Sequence, residues 1–193
     1  MSAFDFNTAE VATGSGGSGN PIPDGTVAPA VITVRGIKVS GKDTRVQGLD
    51  LEVTVTAGPH KGRKAWKWAG IAGNGSDSHN KMVSITRSLI RSILESAYGV
   101  SSTDDSAEAM AARKISDWED LSGLAFVCRF GIEEGSDYVD ARSGDTVKGK
   151  DKNTIAAVAV DDPEYTGFKP AKVKAAATSK PAQSKSSSRP AWG

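Results

Sequence analysis

Apolar and polar residues alternate along much of this chain. Leu49, Leu51, Val53, Val55 and Ala57 interleave with Asp50, Glu52, Thr54 and Thr56. Successive side chains of a strand point to opposite faces, so this stretch predicts a strand with one buried and one wet face. Upstream, Thr26 to Val39 is rich in Val and Ile and follows the turn residues Pro23-Asp24-Gly25, which predicts a long first strand. Downstream, Gly58-Pro59-His60-Lys61-Gly62 is a turn, and a third strand is expected from Arg63 onward. Leu124, Phe126, Cys128, Phe130 and Ile132 resume the two-residue period and predict a fourth strand with these five side chains inward. Ile155 to Val160 predicts a fifth.

Between the third and fourth strands the period becomes helical. Asn80 to Tyr98 carries Met82, Ile85, Leu89, Ile93 and Ala97 as an apolar stripe, with Asp77 or Ser78 to cap its start and Gly99 to end it. Arg87, Arg91 and Glu95, one turn apart in succession, predict an ion-paired solvated face. Ser101 to Lys114 is a polar insertion with room for a short helix, and Ser116-Asp117-Trp118-Glu119 resembles a capping box opening a single turn. Gly135 to Asn153 is expected as a long loop. The expected fold class is therefore mostly β with one main helix: an OB-fold-like five-stranded barrel, a fold that binds oligonucleotides. A mixed α+β sandwich is the alternative.

A chain of 193 residues fits one domain plus tails. The expected organisation is a flexible N-terminal segment over 1–21, an OB-like nucleic-acid-binding domain over 22–168 and a disordered basic tail over 169–193. The formal net charge of +1 conceals an asymmetry. The six basic residues after 168 stand without an acid, which leaves 18 basic against 23 acidic residues in 1–168, a net −5. Any anion site on the body must therefore be local. The single Cys128, between two phenylalanines of a strand, reads as an inert core thiol and fits a reducing compartment. Neither a membrane-spanning run nor a secretory signal is expected.

The local site is Gly58 to Trp68, read GPHKGRKAWKW. Lys61, Arg63, Lys64 and Lys67 surround Trp66 and Trp68 without an acid among them. Cations neutralise phosphates and aromatic faces stack on unpaired bases, so this composition suits single-stranded nucleic acid. Along the third strand, Arg63, Ala65 and Lys67 share one side and Lys64, Trp66 and Trp68 the other. Two readings stay open: both tryptophans buried, with Arg63 and Lys67 facing out, or both exposed as a stacking platform.

Other patterns lose their chemistry in context. GSGGSG (Gly14 to Gly19) has the letters of a dinucleotide fingerprint, but no strand precedes it and Pro21 and Pro23 follow, so a linker is expected. Gly36 to Lys42 begins like a P-loop, but Asp43 stands where Ser or Thr would hold magnesium. His60 and His79 are well separated and lack a ligand cluster, so no metal site or cofactor is expected, and no catalytic residue is assigned.

Pro23-Asp24-Gly25 before a strand, Gly58 to Lys64 at a strand end, Tyr98-Gly99 closing a helix and Asp120-Leu121-Ser122-Gly123 before a strand together resemble the phage and prophage proteins of the domain-of-unknown-function 669 type. The resemblance spans Ile22 to Tyr165. It carries the family's glycine–arginine–lysine turn onto Gly62, Arg63 and Lys64, and its leucine–glycine pair onto Leu121 and Gly123. It implies a non-enzymatic single-stranded DNA-binding protein of bacteriophage DNA replication or recombination, at work in the host cytoplasm. Its implied partners are single-stranded DNA and replication or recombination proteins, with no membrane, and monomer and homo-oligomer both stay open. Many bacterial single-strand binders end in an acidic tip, whereas this chain ends Arg189-Pro190-Ala191-Trp192-Gly193. The alternatives are a virion or scaffold protein whose basic tail contacts nucleic acid, and a metal-dependent nuclease.

Overall fold

The computed structural model describes residues 20–41, 43–140 and 142–169. The glycine-rich run at 14–19 and the basic tail beyond Lys169 lie outside the described residues. Among the described residues seven strands form: β1 (Val27–Val39), β2 (Gln47–Val55), β3 (Lys64–Ala72), β4 (Ala125–Glu133), β5 (Tyr138–Val139), β6 (Thr146–Val147) and β7 (Lys152–Ala157). Helix α1 (Asp77–Tyr98) lies between β3 and β4, followed by the short α2 (Ala107–Ala112).

The main sheet is antiparallel, in the order β3-β2-β1-β4-β7. Its length lets β1 serve two partners: Val27 to Val31 pair with β4, and Ala30 to Val39 pair with β2. Within the β2 zone the register shifts at Val34/Gly36, where Gly36 has φ +131°, a bulge conformation that a side chain would oppose. A bulge bends a strand, and the sheet curls until β3 and β7, its two edges, come within 8 Å between Cα atoms. They do not hydrogen-bond, so the sheet is not closed into a barrel. Helix α1 packs on β3, β4 and β7 and so spans that gap.

The core lies inside the curl. Leu49, Leu51, Val53 and Val55 are all buried, as their alternation predicts, and meet Ile32, Phe126, Phe130, Ile93 and Leu94. Each such side chain contributes about 1.5–3 kcal/mol by leaving water. Three apolar assignments are corrected. Ala57 is exposed, because β2 ends at Val55. Ile132 is 38% exposed, because β4 runs on past the core, so the inward run stops at Phe130. Ile85 also faces solvent, while Ile90 and Leu94 are buried beside Ile93 and Ala97. The buried stripe of α1 is thus rotated about the helix axis from the expected one. Its first turn starts earlier than expected, at Asp77, with Ser76 as N-cap residue without a capping side-chain bond. Gly99 ends it in the left-handed conformation (φ 69°), as expected.

The expected loop at 135–153 contains the β5–β6 hairpin, which leaves Tyr138 and Val139 exposed. At its base the backbones of Gly135 and Gly149 touch, so a Cβ on either would collide with the other strand. Cys128 is fully buried, and burial pushes its thiol up to about 12. We expect the native protein to resist iodoacetamide at pH 8 and to be alkylated once unfolded; mass spectrometry before and after denaturant checks this.

Candidate nucleic-acid interface

The β2–β3 hairpin builds the site. Its turn is fixed by the pair Val55 N–H to Arg63 O (2.9 Å) and Gly62 N–H to Val55 O (2.8 Å). Gly58 and Gly62 have φ of 83° and 82°, values that a residue with a Cβ resists. Lys61 stands exposed at this tip.

Beyond the turn, the structure chooses between the two readings of β3. Ala65 and Ala69 face the core, while Trp66 is 59% and Trp68 38% exposed on the outer face. The reason is tertiary. Pairing with β2 sets the choice: Ala65 lies opposite Val53 and Ala69 opposite Leu49, so both fall on the buried side of β2 and join its core cluster. The larger rings go outward. Trp68 has its own seat there: its indole lies against the backbone of Gly48, where a Cβ would come within 2.4 Å of Cε2. Register places Gly48 opposite Gly70 and Asp50 opposite Trp68, so this is a diagonal cross-strand contact. Gly48→Val is expected to push the ring off its seat. The fold should survive, and poly-dT binding should weaken by about 1–3 kcal/mol, the share of one stacked base. Near-ultraviolet circular dichroism and a titration would check the two halves of that expectation.

Lys64, Trp66 and Trp68 therefore share one face, with Lys61 at the end of the hairpin. Arg63 and Lys67 belong to the opposite side of β3. Lys67 lies across from the core residue Leu51, half-buried, and the Arg63 guanidinium donates to the backbone carbonyl of Asn20.

The outer face also holds four residues that the hairpin sequence did not announce. Glu52, opposite Trp66, is only 6% exposed and lies between Lys64 (2.8 Å) and Arg35 (3.0 Å). Asp50, opposite Trp68, pairs with Lys38 at 2.5 Å. The hydrogen bond from Lys64 holds the Glu52 carboxyl below the usual carboxylate range. Burial opposes this, while the Arg35 charge and the Trp66 indole reinforce it. The outer face of β2 was legible in its alternation, which places Asp50 and Glu52 there, but it is less wet than expected, since Glu52 is buried and Asp50 half-buried. Arg35 and Lys38 were not legible, because the bulge at Gly36 changes which β1 residues share that face.

Among the described residues no three His, Cys, Asp or Glu side chains converge as a metal site, and no helix is long and apolar enough to cross a membrane. The chain matches no protein-family model and no curated protein.

Proposed function

We propose that this chain is a non-enzymatic, sequence-tolerant single-stranded DNA-binding protein, acting through the outer face of β1, β2 and β3. The observation that carries the reading is the exposure of Trp66 and Trp68 together on one strand face. Alternate residues of a strand are about 7 Å apart, so each ring can take a separate unstacked base. Lys64, Arg35 and Lys38 supply cations on the same face, and Lys61 extends them to the hairpin tip. Duplex DNA keeps its bases stacked inside and offers such rings little.

The strand order supports an OB-like description of the sheet. A long first strand is shared by two partners, the helix falls between the third and fourth strands, and the sheet edges approach one another. The resemblance to phage single-strand binders agrees with this reading, and with a place in DNA replication or recombination in the host cytoplasm.

The test is a titration of tryptophan fluorescence with poly-dT and with a matched duplex, at low and moderate salt. Strong quenching by poly-dT with much weaker duplex binding supports the proposal. Equal binding to both, erased by salt, would mean generic polycation behaviour of the basic tail and would overturn it.

A further inference from the structure

The carboxylates of the tryptophan face occupy the cations that would otherwise meet phosphate. Arg35 and Lys64 both reach Glu52, and Lys38 reaches Asp50. The cations are half or more exposed at their side chains or nearly so, whereas both carboxylates are largely covered. Lys61 and Lys67, by contrast, make no ion pair among the described residues. The acids therefore sit as a fixed floor beneath movable cations, with the indoles of Trp66 and Trp68 beside them.

We propose that Glu52 is an internal anion that competes with phosphate for Arg35 and Lys64, and that Asp50 does the same for Lys38. The inference rests on the reading of this face as a nucleic-acid site, and it says how the site is tuned. Bases gain the full stacking contribution from the rings. The backbone gains only what remains after a phosphate displaces a carboxylate already in place. Two counter-charges built into the protein thus do what condensed ions do on the nucleic acid, and they hold down the salt-dependent part of binding. A strand bound in this way is gripped by its bases and let go readily by its phosphates.

The experiment compares wild type, Glu52→Gln and Asp50→Asn in poly-dT titrations across a salt series, with thermal melts to confirm folding. Glu52→Gln is expected to steepen the slope of log K against log salt by about 1.4, for two freed cations at about 0.7 each on a single strand. Its affinity at low salt should rise about tenfold. Asp50→Asn frees one cation, should change the slope by about 0.7, and carries the test alone if Glu52→Gln does not fold. Lys64→Met should weaken Glu52→Gln several-fold more than it weakens wild type, because only in the variant is Lys64 free for phosphate.

An unchanged slope, weaker binding by Glu52→Gln, or equal losses from Lys64→Met in both backgrounds would overturn the inference. Should wild type fail to bind poly-dT, the nucleic-acid reading falls by itself. The same variants titrated with linear polyphosphate then still decide whether Glu52 masks these cations: tighter binding by Glu52→Gln supports it, and equal binding overturns it.

Discussion

Replacing Trp66 and Trp68 together by alanine is expected to weaken poly-dT binding by about 2–6 kcal/mol, at least about thirtyfold in Kd. Each ring lost removes one base-stacking contact, worth about 1–3 kcal/mol. The salt slope should hardly move, because stacking releases no counterions. Stability should fall by only about 2 kcal/mol, nearly all of it from Trp68, whose ring is the more covered. Trp66 stands well out in solvent, and a surface substitution of that kind changes stability by about 0.5 kcal/mol at most. The double variant should therefore still fold, and a thermal melt run beside the titration separates lost binding from lost structure. Normal affinity in a folded double variant would remove these rings from the site. The contrasting change is Lys61→Ala, which should make the slope shallower by about 0.7 and leave the stacking contribution in place.

Much of this arrangement is written in local pattern. The alternation from Leu49 to Val55 set the buried face of β2 and, with it, placed Asp50 and Glu52 on the opposite face. The glycines at 58 and 62 marked the hairpin, and Gly99 marked the end of α1. The orientation of β3 was not legible, because period two says which residues travel together and not which set goes inward. That choice was made by register with β2, which sets Ala65 opposite Val53 and Ala69 opposite Leu49, a contact between elements. The same cause lies behind the rotated stripe of the helix: Ile85 is apolar and correctly spaced but faces solvent, while Ile90 and Leu94 join the core cluster with the sheet. Ile132 fails for a third reason, strand length, since β4 continues its alternation beyond the place where the core ends. The cations of the site divide likewise. Lys61 and Lys64 were visible in the hairpin, whereas Arg35 and Lys38 arrive from a strand whose face changes at a bulge.

Arg113→Met is expected to cost about 3 kcal/mol of stability, and its neighbour Arg91→Met about 0.5 kcal/mol, although both arginines hold the same oxygen of Glu95. Arg91 Nε lies 2.8 Å from that oxygen and Arg113 Nε 2.7 Å, so distance does not separate them. Burial does: the Arg91 side chain is 53% exposed and that of Arg113 13%. The first has the spacing of one helical turn that the sequence predicts, but only its arginine is solvated: Glu95 is covered, while the exposed Arg91 guanidinium, screened by water and salt, also donates to the Ser102 carbonyl at 3.0 Å. The second comes from α2's C-cap residue, and it also donates to the backbone carbonyls of Ser101 and Asp104, at 2.8 and 2.7 Å. Removing Arg113 thus leaves a mostly buried Glu95 with only its exposed partner, and takes a donor from the carbonyls of Ser101 and Asp104, of which Ser101 keeps the Asp104 N–H at 3.1 Å. In a protein of this size the loss corresponds to a fall in Tm of about 6–12 °C for Arg113→Met, against about 1–2 °C for Arg91→Met. Calorimetry of the two variants at low and at 0.5 M salt checks the argument, since adding salt should erase most of the Arg91 effect and little of the Arg113 effect. Equal losses for the two would mean that burial is not what distinguishes them, and that the connection from Ser101 to Asp104 is held by other contacts.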